Sequence, residues 1–130
     1  MNESWPSRTV ELTVPAHEDF VAAVRAQTRS MAVLTSLGVD DVEELQMAIG
    51  EAATLLLPVV DLATPFFRVE FDLVADGMRV RLRARVRPGA AIDREGLAWM
   101  LLTALDPHVA VTGTDETCIE ISRARSNSRL

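Results

Sequence analysis

The 130-residue chain contains no lysine and no tyrosine, one cysteine, two histidines and only 5% aromatic residues. Without lysine there is no amine for a Schiff base or a phosphate loop, and without tyrosine no phenolic acid. The single cysteine, Cys118, has no partner for an internal disulfide. It sits beside Glu116 and Glu120, which disfavour a thiolate, so a structural rather than nucleophilic thiol is expected. No apolar run approaches the roughly 18 residues of a membrane span. Met1 to Pro6 lack a basic segment followed by an apolar one, so no secretory signal is expected and a cytoplasmic setting is the simplest expectation. His17 and His108 lie far apart with no partner at metal-ligand spacing, so no metal site is expected. G-x-S-x-G, G-x-x-x-x-G-K and G-x-G-x-x-G are all missing, which removes the generic hydrolase, P-loop and dinucleotide readings.

What is present is the composition of an ordinary globular domain, 48% hydrophobic and 25% charged. At this length one domain folds without disulfide support. All 13 basic residues are arginine, against 19 acids, for a net charge of −6. That balance argues against nucleic acid as the main partner.

Residues 1–7 are expected to form a flexible leader, 8–123 a single domain and 124–130 a flexible tail, with the chain polar from Ser122 onward. Val10, Leu12 and Val14 alternate with polar residues in a strand ended by Pro15. Phe20, Ala23, Val24, Met31 and Leu34 form the apolar stripe of a first helix, stopped by Gly38. A second helix, capped by Asp40 or Asp41, presents Val42, Leu45, Ile49, Ala52 and Leu56, and ends near Pro58. Phe66–Val74 and Met78–Arg87 flank Asp76-Gly77, a favoured two-residue hairpin turn. That turn pairs Ala75 with Met78, setting Asp72 against Arg81 and Glu70 against Arg83. A third helix is expected from about Asp93 to Leu105, then two closing strands around Gly113. The order predicts an α+β fold, a two-layer sandwich with a mixed, mainly antiparallel sheet and its helices on one face.

The alternating Arg79, Arg81, Arg83, Arg85 and Arg87 read first as a solvated strand face paired with Asp72 and Glu70, and second as a protein-binding surface. Glu51 lies on the second helix outside its apolar stripe, with Leu55 on the same side.

Leu45-Gln46-Met47-Ala48-Ile49-Gly50-Glu51-Ala52-Ala53-Thr54 resembles the N-box helix of the GHKL, or histidine-kinase-like, ATPases, and in particular the anti-sigma serine kinases of the RsbW and SpoIIAB type. The resemblance runs from about Arg8 to Arg123. Trp99 with Leu102-Thr103-Ala104-Leu105-Asp106 further resembles the UsfX-like anti-sigma factors. The resemblance implies a general-base role for Glu51, now a remnant, and places the magnesium-holding asparagine at Leu55, which offers no oxygen. The adenine-reading Asp-x-Gly-x-Gly stretch falls on Arg87-Pro88-Gly89-Ala90-Ala91, and Gly-x-Gly-Leu on Arg94-Glu95-Gly96-Leu97. Gly89, Gly96 and Leu97 are therefore the remnant ATP-binding residues, and Arg94 is expected to obstruct the approach of phosphate. Six residues between Gly89 and Gly96 leave little room for a lid.

The resemblance thus implies an anti-sigma factor that sequesters a sigma factor, is released by a STAS-type anti-anti-sigma protein, and uses no ATP or magnesium. Arg25 and Arg29 are its candidate sigma-binding residues, and a homodimer is expected. The alternatives are an active serine kinase that phosphorylates its STAS antagonist, and a regulatory module with a non-sigma target.

Overall fold

The computed structural model describes residues 8–126; the expected leader and the last four residues lie outside that range. Five strands and three α-helices follow in the order β1 (Thr9–Pro15), α1 (Val21–Ala32), α2 (Val39–Leu56), β2 (Phe66–Val74), β3 (Gly77–Arg85), α3 (Leu97–Leu105), β4 (Ala110–Thr112) and β5 (Glu116–Ala124). The strands form one sheet in the order β1-β2-β3-β5-β4, and every pairing is antiparallel. The expected α+β sandwich is observed; its sheet contains no parallel pair among the described residues.

Alternation along the strands assigns the two faces. The rows Val10–Phe71–Val80–Ile121 and Leu12–Val69–Leu82–Ile119–Val111 cross the sheet on its inner face. Phe71, Val69, Val80, Leu82 and Ile119 are fully buried there, against Val24, Leu45, Ile49, Leu56 and Leu102 of the helices. Helix α2 is the middle of the helical layer, flanked by α1 and α3. It therefore buries more than one stripe: Ala48, Gly50, Ala53 and Leu55 are covered as well as Val42, Leu45, Ile49, Ala52 and Leu56.

Several local expectations are corrected. The 3-10 turn Glu18–Phe20 precedes α1, and the buried face of α1 is Val24, Thr28 and Ala32. Phe20, Ala23 and Leu34 of the expected stripe are exposed, and α1 ends at Ala32, six residues before Gly38. Thr28 satisfies its buried hydroxyl by donating to the Val24 carbonyl at 2.8 Å, so a polar residue serves the core without loss. Gly38, not Asp40 or Asp41, caps α2. Asp41 is buried and accepts from the Ser126 N–H at 3.0 Å and its hydroxyl at 2.9 Å. Strand β5 continues to Ala124, so the chain is held to the sheet beyond Ser122 and to α2 as far as Ser126.

The hairpin forms with a register two residues from the expected one. Val74 pairs with Gly77, which leaves Ala75-Asp76 as the turn. Gly77 is needed inside the strand instead: a Cβ there would stand 2.1 Å from the Arg123 carbonyl oxygen of β5. A shift of two keeps every side chain on its expected face. Asp72 still meets Arg81 at 2.6 Å, and Glu70 still meets Arg83, as diagonal rather than directly opposed pairs.

The outer face carries Arg68, Arg79, Arg81, Arg83 and Arg85 among Glu11, Glu70, Asp72, Glu116 and Glu120. Five guanidiniums share it with five carboxylates, so the stripe is a compensated surface. Arg68 and Arg83 face each other across β2 and β3, a repulsive pairing. It is resolved because Arg68 reaches Glu116 at 2.7 Å while Arg83 turns to Glu70. Arg87 lies past the strand and donates to the Pro58 carbonyl at 2.6 Å.

Burial alone would raise the Asp72 carboxyl, but the Thr9 hydroxyl and the Arg81 and Arg79 guanidiniums outweigh it and hold the group below its ordinary value of 3.8. A lowered folded value means that the carboxylate stabilises the fold above its unfolded pKa, and that this contribution is lost as pH falls through the lower one. Asp72→Asn is therefore expected to reduce stability at neutral pH, with the difference from wild type closing below about pH 4. Urea melts between pH 2 and 7 test this; a difference independent of pH would refute it.

Candidate functional site

Helix α2 carries the residues on which the resemblance rests, and the structure distributes them over separate surfaces. Near its C-terminal end, Leu55 and Thr54 line a pocket of about 280 Å³ with Pro58, Val59, Ala91, Asp93, Gly96, Leu97 and Ala98. This brings Gly96 and Leu97 to the Leu55 position. The volume lies at or below the small end of ligand pockets, roughly 300–1,000 Å³. Leu55 is only 5% exposed and belongs to the core. The one charged lining residue is Asp93, whose Oδ1 accepts from the Glu95 N–H at 2.9 Å. A Cβ on Gly96 would stand 2.8 Å from Asp93 Oδ2, so the carboxylate also occupies the space that this glycine opens. Magnesium triphosphate requires oxygen ligands for the metal and cationic or N–H donors for the phosphates. Leu55 offers no oxygen to a metal, and no cationic side chain lines the pocket.

Gly89 is elsewhere. With φ of +79° it turns the chain after β3 and lines a different cleft, of about 480 Å³, beside Arg85, Arg94 and Asp115. Arg94 is not among the residues that line the Leu55 pocket, and its guanidinium stacks over the Trp99 ring, 5.2 Å from the centroid. The connection from Gly89 to Gly96 is pinned midway by buried Ile92.

Glu51, one turn before Leu55, opens onto a groove of about 610 Å³ formed by all three helices. The side chain is half-buried. The same groove contains Arg25, so the structure brings together the glutamate to which the resemblance gives the base role and one candidate partner-binding residue. Arg25 lies across buried Gly50: a Cβ at Gly50 would meet Arg25 Nη1 at 3.2 Å and Cδ at 3.4 Å. A mid-helix glycine costs about 0.5–1 kcal/mol relative to alanine, and here its bare backbone seats the arginine. Gln46 fastens the assembly, donating to the Arg25 carbonyl at 3.1 Å and accepting from Arg29 Nη1 at 3.2 Å. Neither arginine has a carboxylate within ion-pair distance among the described residues, although Glu43 and Glu51 line the groove.

The third wall was not read from the sequence. In α3 only Thr103 is polar, and it donates back to the Trp99 and Met100 carbonyls. Leu102 faces the core, whereas Leu97, Met100, Leu101 and Ala104 form an exposed row at spacings of three, four and seven. Periodicity identified a helix; it could not say which apolar side meets solvent, because both sides are apolar.

Cys118 is buried on the outer sheet face, and burial raises its thiol, partly offset by nearby Arg83, as expected of a structural cysteine. His17 accepts from the Asp19 N–H at 3.1 Å. Among the described residues no group of three or more His, Cys, Asp and Glu could hold a metal ion, and no helix is long and apolar enough to cross a membrane.

Three helices over this five-stranded antiparallel sheet define an RsbW-like, histidine-kinase-like ATPase fold. The chain is similar to the solved structure of the RsbU and RsbW domains of Rv1364c from Mycobacterium tuberculosis, with a TM-score of 0.68 over 95% of this chain at 18% identity. This chain spans 35% of the length of that one. No family model and no curated protein matches the sequence.

Proposed function

We propose that the protein is an anti-sigma factor of the RsbW and SpoIIAB type, close to the UsfX-like members, that works by partner exchange without nucleotide. It holds a sigma factor until a STAS-type antagonist displaces it. The observation that carries this reading is that, in an RsbW-like fold, Leu55, at the position the resemblance gives to the metal ligand, is packed into the core. Phosphoryl transfer depends almost wholly on metal and positioning; binding depends on surface. Arg25 and Arg29 are assigned to the sigma contact, where charge sets encounter rate and specificity.

Two measurements test the reading. Calorimetric titration with ATP and ADP, with and without magnesium and to millimolar ligand, is expected to give no binding heat; magnesium-dependent binding refutes the nucleotide-free part. Purified alternative sigma factors of the source organism are expected to include one that binds, and the STAS protein to displace it. Arg25→Ala and Arg29→Ala should each weaken that complex; if neither does, the assignment of the two arginines falls.

The half-buried but open position of Glu51 favours one second reading, an active serine kinase. Transfer of labelled phosphate from ATP to the STAS protein, abolished by Glu51→Ala, would establish it.

A further inference from the structure

Four polar side chains are buried among the described residues, and three of them are satisfied. Thr28 donates to the Val24 carbonyl, Asp41 accepts from Ser126, and Asp106 accepts from the His108 and Ser122 N–H groups at 2.9 and 3.1 Å. The fourth, Thr117 near the start of β5, is 8% exposed, and its hydroxyl has no hydrogen-bond partner among the described residues. A buried hydroxyl left unmatched costs its desolvation, and such groups are rare unless water or a ligand meets them. Thr117 lines the cleft of about 480 Å³ beside the Gly89 loop, a volume ordinary for a small-molecule site.

The same cleft gathers positive charge in an acidic chain. Arg85, Arg87 and Arg94 line it together with Asp61 and Asp115, yet none of these guanidiniums has a carboxylate within ion-pair distance among the described residues. Arg87 is tied to the Pro58 carbonyl and Arg94 to the Trp99 ring. Arg85 is exposed and has no side-chain partner, because Glu116, opposite it in register, is taken by Arg68 at 2.7 Å. Val86 and Ile92, both buried, supply an apolar wall.

We propose that this cleft binds a small carboxylic acid with an apolar body. Its carboxylate accepts from the Thr117 hydroxyl and from Arg85, and its body lies on Val86, Ile92 and Val111. Arginine suits that role because its planar fork offers a carboxylate two parallel N–H donors. Charge selects the class. Three guanidiniums against two carboxylates leave one net positive charge, which a single carboxylate neutralises and a phosphate dianion exceeds. The cleft is neither the Leu55 pocket nor the groove that holds Arg25, so this site stands apart from the nucleotide and sigma readings.

Benzoate, benzamide, phenyl phosphate and adenosine, each titrated into the full chain and followed by amide proton–nitrogen spectra, test the site. Benzoate is expected to shift the Gly89, Gly113 and Thr117 amides with a dissociation constant in the millimolar range, and the other three to bind at least about tenfold more weakly. Arg85→Ala and Thr117→Val should each weaken benzoate about tenfold, whereas Arg125→Ala, beyond the far end of β5, should not. Thr117→Val also reads the hydroxyl directly: replacing an unmatched hydroxyl by a methyl group should leave the melting temperature unchanged or raise it. A lowered melting temperature would mean that the hydroxyl is matched within the fold, and overturns the proposal. So does the absence of benzoate shifts at these amides, an unaltered benzoate affinity in both cleft variants, or tighter binding of phenyl phosphate. Equal binding of benzamide denies the carboxylate its part, and adenosine binding in place of benzoate makes the cleft a nucleoside site; either result also overturns it.

Discussion

Phe71→Ala is expected to remove about 3–5 kcal/mol of unfolding free energy, the cost of deleting a fully buried aromatic side chain and leaving a cavity. Phe71 is completely covered, with Val10 on one side of its row and Val80 on the other, and the helical layer above. Against a typical total of about 5–15 kcal/mol for a domain, the loss would leave the fold marginal at best. Val10→Ala, one strand away in the same row, is expected to cost below about 1 kcal/mol, because Val10 is 39% exposed on the edge strand. Urea denaturation followed by circular dichroism measures both. A Phe71→Ala loss under about 1 kcal/mol would mean that this row is not the centre of the core. Equal losses at the two positions would mean that β1 is covered by something other than its own chain.

The contrast also marks where the sequence was informative. Strand alternation is a strict period of two, so each face of β2 and β3 could be read, even though the register was read two residues off. The turn residue that misled was Gly77, whose reason lies in β5, more than 40 residues away in the chain, where it admits the Arg123 carbonyl. No local pattern contains that contact. In α1 the expected stripe followed hydrophobicity and chose Phe20, Ala23 and Leu34, whereas the core took Thr28, whose hydroxyl is satisfied within the helix. In α2 the stripe was correct but too narrow, because a helix flanked on both sides is buried by neighbours that its own sequence does not name.

The candidate site divides in the same way. Glu51, Gly96 and Leu97 were singled out because residue types at fixed spacing carry a resemblance, and Arg25 and Arg29 because they lie on the first helix. Their distribution was not: Glu51 and Arg25 share a groove, Gly96 and Leu97 share a pocket with Leu55, and Gly89 lines neither. Gln46 and Gly50 escaped notice because an amide and a glycine on a helix carry no chemistry until an arginine from another helix is placed over them.

Leu55→Asn restores the oxygen-bearing side chain that the resemblance places at the metal position, and it is expected to destabilise the fold without producing magnesium-ATP binding. Leu55 is 5% exposed within the core, so the substitution removes buried aliphatic surface and inserts an amide that needs partners. Together these cost about 3–5 kcal/mol, whereas the volume-conserving Leu55→Met should cost less than about 1.5 kcal/mol. Binding should still fail because the other requirements are unmet. The Gly89 loop opens onto another cleft, no cationic side chain lines the Leu55 pocket, and only six residues separate Gly89 from Gly96 where a lid would have to fit. Thermal melts and calorimetry on the two variants decide the matter. A Leu55→Asn protein as stable as wild type would show that this side chain is not held in the core. A Leu55→Asn protein that takes up magnesium-ATP would show that one residue separates this helix from a working nucleotide site, and the kinase reading would then lead.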